Sequence, residues 1–324
     1  MSILISGGAG YIGSHTAKSL SRSGFEPVVY DNLSTGHRWA VKWGPLVEAD
    51  LSDEASLRRT LKEYKVKAVV HFAAYAYVGE SVREPRRYFE NNVANTLRLL
   101  HALLDAGVND IVFSSSCAVY GVPQSLPISE NHPKDPVNPY GDSKLFIERV
   151  LEWYGRAYGL HWAALRYFNA AGADDDGELG EVHDPEPHLV PRLIEAALGK
   201  LDSVEIFGTD YPTEDGTAVR DYVHVSDLAE AHVATLQHLL SGGESISANL
   251  GTGHGASVRE VITAVERVSG TAIKTKLAPR RPGDPPILIA DPSYAEKVLG
   301  WRPKLSSLDH IVDSAWNWHR RRLS

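Results

Sequence analysis

The stretch Ile3-Leu4-Ile5-Ser6-Gly7-Gly8-Ala9-Gly10-Tyr11-Ile12-Gly13-Ser14-His15-Thr16 decides the fold. Three aliphatic residues in a row read as a short, fully buried strand. Gly7, Gly10 and Gly13 follow in a G-x-x-G-x-x-G spacing, and a helical apolar pattern runs from His15 to Ser23. Glycine spacing alone is weak, because glycine-rich turns are common. A strand before it and a helix after it make it specific. Glycines there let the backbone turn tightly and approach a pyrophosphate, whose charge sits on the helix N-terminus. A second strand, Pro27–Tyr30, ends in Asp31, 18 residues after Gly13. A carboxylate at that point accepts from adenosine ribose hydroxyls and repels a 2′-phosphate, which favours NAD over NADP.

The strand–helix alternation continues. Leu46–Ala49 reads as a third strand ending in Asp50-Leu51, and Ser52–Tyr64 as a helix. Ala68–Phe72 reads as a fourth strand, and the small Ala73 and Ala74 after it let a cofactor pass close. One helix is expected from about Arg86 to Ala106, carrying Asn91 and Asn92, then a fifth strand at Ile111–Phe113 ending in Ser114-Ser115-Ser116. A helix starting at Pro139 leads to a sixth strand, Trp162–Arg166. Repeated βα units imply an α/β fold, a Rossmann-type doubly wound parallel sheet covered on both faces. Ligands of such sheets bind beyond the carboxyl ends of the strands, where Asp31, Asp50, Ala73, Ser116 and Phe168 fall. The alternation loosens after Asn169. The expected division is a nucleotide-binding domain at 1–169, with a return segment near 218–250, and a smaller interleaved substrate domain at 170–324.

The chemistry is placed at Tyr140-Gly141-Asp142-Ser143-Lys144. Proline at the start and apolar periodicity after it mark a helix N-terminus. Tyr140 and Lys144 are four apart and share a face. An ammonium beside a phenol favours phenolate, and a tyrosine so tuned serves as general acid or base near neutral pH.

Composition sets the bounds. The 324 residues carry 43% hydrophobic and 23% charged side chains, ordinary for a globular protein with a sizeable core. A net charge of −8 argues against nucleic acid as a partner. No apolar run approaches the length of a membrane span, and the N-terminus reads as a first strand rather than a signal peptide. Cys117 is the single cysteine, which fits a reducing, cytoplasmic setting.

Together the segments Gly7–Thr16, Asp31–Ser34, His71–Ser81, Ser114–Gly121, Pro139–Lys144, Arg166–Gly172, Phe207–Tyr211, Asp215–Asp227, Asn249–Gly253 and Arg280–Asp284 resemble the extended short-chain dehydrogenase/reductase superfamily. The similarity is greatest to the UDP-galactose (UDP-glucose) 4-epimerases, through the DGTAVRDYVHV and FGTDY segments above all. The resemblance implies that Tyr140 removes the proton from the sugar 4-OH while C4 gives hydride to NAD⁺. Ser116 bonds the same oxygen, and Lys144 binds the nicotinamide ribose and depresses the Tyr140 pKa. The 4-keto sugar rotates and takes the hydride back, so the cycle is redox-neutral. The implied cofactor contacts are Gly7, Gly10, Tyr11, Ile12, Gly13, Asp31, Asn32, Asp50, Leu51, Phe72, Ala73, Ala74, Asn91, Ser114, Tyr140, Lys144 and Tyr167. The related 4,6-dehydratases carry an Asp-Glu pair after the serine. This chain has Cys117-Ala118, which leaves no acid/base pair for elimination.

In the second half, the run Ala173–Gly177 reads as a solvated acidic loop. His183 and His188, with Asp184 and Glu186 between them, look superficially like metal ligands, but no third ligand is evident, so no metal is expected. By resemblance the UDP-sugar contacts comprise Ser116, Tyr140, Asn169, His188, Leu189, Phe207, Arg220, Tyr222, Arg281, Asp284 and Leu288. Arg220 and Arg281 would face the diphosphate, since guanidinium is always charged and offers paired donors. Asp284 would take the uridine ribose. Leu288 stands where the family sets room around the sugar 2-substituent, which implies tolerance of UDP-N-acetylhexosamines. The HFAAYAYVGES segment also resembles UDP-xylose/UDP-arabinose 4-epimerases. A net NAD-dependent oxidoreductase and a non-catalytic NAD-binding protein are the other classes; retention of Ser116, Tyr140 and Lys144 argues against the second. The resemblance and the long helices near 86–106 and 138–158 imply a homodimer.

Overall fold

Strands that are apolar on both faces need cover on both sides, and the topology supplies it. In the computed structural model, which describes residues 1–281 and 283–322, β1 (Ser2–Ser6) lies inside a seven-stranded sheet. β2 (Glu26–Asp31) and β3 (Leu46–Glu48) extend it to one edge. β4 (Ala68–His71), β5 (Asp110–Ser116), β6 (His161–Tyr167) and a seventh strand, Ile246–Leu250, extend it to the other. Every pairing is parallel. The chain reverses its direction of growth between β1 and β4, and a crevice opens at their carboxyl ends.

Side chains alternate across a strand, so β1 feeds two cores. Ile3 and Ile5 join Val70, Val112 and Leu165 on one face, under the helices Tyr11–Arg22 and Val225–Leu240. Leu4 joins Val28, Val69 and Ile111 on the other, under Glu54–Glu63, Asn95–Ala106 and Pro139–Tyr158. A third core, around Leu193, Ile206, Val261, Val265 and Ile311, unites the helices Leu189–Ala197, Val258–Ser269 and Leu308–Arg321. Small sheets lie beside it. Val204–Phe207 pairs with Thr275–Ala278, and Val219–Arg220 is flanked by Ala256–Ser257 and Ile287–Leu288.

Two expectations need correction. The helix expected from Arg86 to Ala106 is broken: Pro85–Tyr88 is α-helical, Phe89–Ala94 is a π-helical turn, and the α-helix resumes at Asn95. The wide turn fits the work of Asn92, whose amide accepts from Tyr75 N at 2.8 Å and donates to Tyr75 O at 2.9 Å. The acidic loop at 173–177 is not simply solvated. Asp174 is buried and takes Lys18 Nζ at 2.7 Å, and Asp176 takes both Lys18 and Arg22, which docks the loop on the first helix. Among the described residues no helix is long and apolar enough to cross a membrane.

Candidate active site

The glycine turn is built to admit a ligand backbone-close. Gly7 has φ +74°, and a Cβ there would stand 2.6 Å from Ala73 N; a Cβ on Gly13 would stand 2.2 Å from Gly7 O. Gly10 caps the helix that begins with Tyr11 and Ile12, earlier than the expected start at His15. Larger side chains at Gly7 or Gly13 would push the turn away from the helix N-terminus, where a pyrophosphate is stabilised. Phe72 and Ala73 both donate N–H to Ser6 O, which holds the β4 end against β1. Asp31 accepts from Ala9 N at 3.0 Å and Leu33 N at 2.8 Å. Burial raises its pKa, and those two donors oppose the rise. Asn32 donates to Asp50 at 2.6 Å, and Asn95 approaches both Asp50 and Asn91 at 3.5 Å. Leu51 packs in the core, so it offers a ligand its backbone rather than its side chain. These residues form one rim along the β2, β3 and β4 ends. This glycine cradle, with small Ala73 facing it, fits a dinucleotide.

The Tyr140–Lys144 pair sits in the first turns of helix Pro139–Tyr158. Asn138 caps the Tyr140 helix, accepting from Gly141 N at 2.9 Å, with Pro139 at the first helical position. Lys144 is buried and donates to Ser114 O at 2.7 Å; its Nζ lies 5.8 Å from the Tyr140 ring centre. The Ser114 and Tyr167 hydroxyls bond each other beside it. One expectation fails in its direction. Tyr140 is not depressed but pushed up to about 12 by burial, against a hydrogen bond from Ser116 that lowers it. Burial also lowers Lys144 to about 7, against the opposing pull of Glu148. Burial drives both groups toward their neutral forms. Cys117 is buried and pushed up to about 12 by that burial, so it is no thiolate.

Cys117 also connects this pair to the second half. It packs with Phe168, Leu145 and Leu288, and Arg220 acts on its pKa. Arg220 pairs with Asp284, Leu288 lies opposite Arg220 in the strand register, and Arg281 covers the Phe207 ring at 4.1 Å. Asn169 and Tyr222 are register partners at the seam between the halves. Arg220, Phe207, Arg281, Asp284 and Leu288 therefore share one wall. Pro282 of the RRPGD segment lies outside the described residues.

His188 and Leu189 stand elsewhere on the rim, facing the nucleotide side. His188 is the N-cap of helix Leu189–Ala197, and its ring lies 6.2 Å from that of Tyr77. Its Nδ1 is 2.9 Å from Glu181 and 2.8 Å from Glu186. Burial would lower His188, but the two carboxylates outweigh it and raise its pKa. Burial would raise Glu181, but His188 and His183 outweigh it and lower the carboxyl. The expectation that no third ligand accompanies the two histidines is thus corrected, for Glu181 lies between them. Nothing at Glu181 in the sequence announces this, since it precedes the His183–His188 run. Asn138 was missed too, although an asparagine before a helix-opening proline is a readable cap. Asp221, buried and bonded to Thr252, Gly253 and Ala290, ties the Arg220 strand to two loops, a role that its place in the DGTAVRDYVHV segment does not announce.

The comparisons with known proteins fit this geometry. The model of the NAD dependent epimerase/dehydratase family matches residues 3–251. The chain belongs to that family. A UDP-glucose 4-epimerase of Rhizobium meliloti (strain 1021) is 52% identical over 320 residues, spanning 99% of this chain and 97% of the relative. The crystal structure of UDP-glucose 4-epimerase from Brucella ovis in complex with NAD superposes with a TM-score of 0.96 at 53% identity, covering 98% of this chain and 97% of that one. The UDP-glucose 4-epimerase from Bifidobacterium longum in complex with NAD⁺ and UDP gives 0.95 at 40% identity, covering 100% and 99%. Within the family, the chain falls among the UDP-glucose 4-epimerases.

Proposed function

We propose that this chain is an NAD-dependent UDP-sugar 4-epimerase that interconverts UDP-glucose and UDP-galactose through a transient 4-keto sugar. The observation that carries the reading is the meeting of Ser116, Tyr140 and Lys144 at the carboxyl ends of β5 and β6, across from the glycine turn. NAD would lie along Gly7–Gly13, Asp31, Asn32, Asp50 and Ala73, on residues 1–169 with the return segment near 218–250. The UDP-sugar would lie against Asn169, His188, Leu189, Phe207, Arg220, Tyr222, Arg281, Asp284 and Leu288.

Ser116 and Tyr140 would orient the sugar 4-OH, and Tyr140, as the phenolate left once its own proton has passed to solvent, would take the hydroxyl proton. When bound, oxidised NAD supplies the hydride acceptor and a positive ring charge, the influence this chain lacks for drawing the proton off Tyr140. Lys144 keeps one donor on Ser114 O and has two more for ribose hydroxyls. The 4-keto sugar turns on its diphosphate anchor and accepts hydride on the opposite face, while Tyr140 returns the proton. His188 has Nδ1 committed to carboxylates, which leaves Nε2 to donate to the diphosphate.

A homodimer is supported by an uncovered apolar face. Phe146, Trp153 and Tyr158 on the catalytic helix are exposed, as is Phe89 on its neighbour, and His101 lies 3.0 Å from Tyr154 between the two helices. The cytoplasmic placement rests on Cys117 as the single, free cysteine.

Proton NMR of purified protein with UDP-galactose, UDP-xylose and UDP-N-acetylglucosamine, each without added NAD, tests the reading. Conversion of UDP-galactose to its 4-epimer is expected. Fastest conversion of UDP-xylose would move the name to a pentose epimerase. Turnover only with supplied NAD, with NADH accumulating, would sink the epimerase reading.

A further inference from the structure

Four side chains outside the reaction centre converge in the segment between the acidic loop and helix Leu189–Ala197. Glu181 Oε1 lies 3.2 Å from His183 Nε2 and 2.9 Å from His188 Nδ1, and His188 Nδ1 lies 2.8 Å from Glu186 Oε1. One ligand atom from each of the four is within 4.8 Å of every other. Around an ion with bonds of about 2.0–2.2 Å, neighbouring ligand atoms stand roughly 3.0–3.5 Å apart; the three pairs at 2.8–3.2 Å are already near that spacing, and the others draw in from no more than 4.8 Å. We infer that Glu181, His183, Glu186 and His188 form a binding site for one divalent transition-metal ion of the zinc class, which braces this segment against the nucleotide-binding half.

The donor set selects the class. Two imidazole nitrogens with two carboxylates suit zinc and its neighbours, whereas magnesium and calcium prefer oxygen alone. The charge balance points the same way. The side chains of Glu181 and Glu186 are only 6% and 7% exposed. Their ion-pair partners are the histidines, His183 and His188 for Glu181 and His188 for Glu186. The two nearly buried carboxylates take their positive charge from the His188 imidazolium, and a metal ion bound in place of its Nδ1 proton would supply that charge with fixed geometry. The surroundings give the role. Tyr77, from the loop after β4, sets its ring 6.0 Å from His183, and His37 Nε2 lies 3.1 Å from Val182 O. Both come from the nucleotide-binding half, so an ion here would lock the two halves at their rim. His188 Nε2 points away from the ligand set, so metal binding at Nδ1 and an anion contact at Nε2 are compatible. The inference does not depend on the epimerase reading, and its test reads metal rather than turnover.

The test strips the full-length protein with chelator, then titrates Zn²⁺ against a chromophoric competitor and measures bound metal by mass spectrometry. One equivalent per chain is expected, with zinc raising the thermal midpoint and chelator lowering it. His183→Ala and Glu186→Gln should each weaken binding at least 100-fold and abolish the zinc-dependent shift. His254→Ala, an exposed histidine elsewhere, should leave both unchanged. Unchanged affinity in His183→Ala, or less than one equivalent in the parent protein at micromolar zinc, would overturn the site. The His183 side chain is 18% exposed against 6% for Glu181, so this variant keeps the test decisive if a substitution at Glu181 fails to fold.

Discussion

Tyr140 holds its proton tightly in this chain, and that decides how the residue must be used. A phenol pushed up to about 12 by burial stays protonated at neutral pH, and it becomes a base only where positive charge is added beside it. Replacing Tyr140 by Phe removes the hydroxyl and keeps the ring. Turnover should fall roughly 10²–10⁴-fold, the usual worth of a positioned acid/base group, while UDP-sugar affinity by calorimetry changes little. Near-normal turnover would remove Tyr140 from the mechanism. Leu288 carries a second expectation. It is half-buried against Phe168 and Cys117, so Leu288→Tyr should fill space at the sugar 2-substituent. Activity on UDP-N-acetylhexosamines should drop roughly tenfold or more, with UDP-galactose turnover largely kept; equal loss on both substrates would refute the pocket. At this scale the sequence was most legible where the reactive residues are contiguous, as in Tyr140–Lys144. It was silent on the direction of the Tyr140 shift, because burial is a property of the packed molecule. It was silent on Glu181 as well, because a carboxylate becomes a ligand or a counter-ion only once a loop folds back on it.

At the scale of elements, period and punctuation carried the reading. β1, β2, β4 and the Tyr140 helix announced themselves by aliphatic runs, glycines and Pro139. The π-turn at Phe89–Ala94 did not, since its cause is a side chain, Asn92, bonding a loop 17 residues away. The two- to four-residue strands beyond Asn169 were also mostly unreadable, because they are held by partners distant in sequence. The two helices at 85–106 and 139–158 leave a specific problem unsolved within one chain. Trp153 is 65% exposed and Phe146 47% exposed, seven residues apart on one helix, and Phe89 on the neighbouring segment is exposed as well. Large apolar side chains grouped in this way mark an interface. Light scattering should therefore give twice the chain mass of 35.5 kDa, and Trp153→Glu with Phe146→Glu should return it to one chain mass without loss of helix by circular dichroism. A monomeric parent protein would refute the helix-pair dimer.

Across the whole molecule, the return of helix Val225–Leu240 to the nucleotide sheet buries histidines that must stay neutral. His232 is fully buried on that helix, 4.7 Å from the Phe72 ring and 5.9 Å from the Tyr167 ring. Its Nδ1 lies 2.8 Å from Leu228 O, while its Nε2 is buried without a partner. Burial lowers its pKa to about 4, against the opposing pull of that carbonyl. His15, His71 and His224 are lowered as well, each mainly by burial. The sign follows from linkage: below 6.5 the unfolded chain takes protons at these sites that the folded chain refuses until about pH 4, or about 3 at His71. Stability is therefore present above 6.5 and is lost as pH falls toward 4. At pH 5 the share of His232 is on the order of 2 kcal/mol. His232→Leu removes the titrating ring and keeps an apolar side chain under Phe72. Between pH 7.5 and 5.0, denaturant unfolding of this variant should show a loss of stability smaller than the parent's by about that amount, whatever the substitution does to stability at pH 7.5. The same pH-dependent loss in both proteins would mean that His232 is protonated in the folded chain at pH 5, and that its unpartnered nitrogen has found a way to keep the charge.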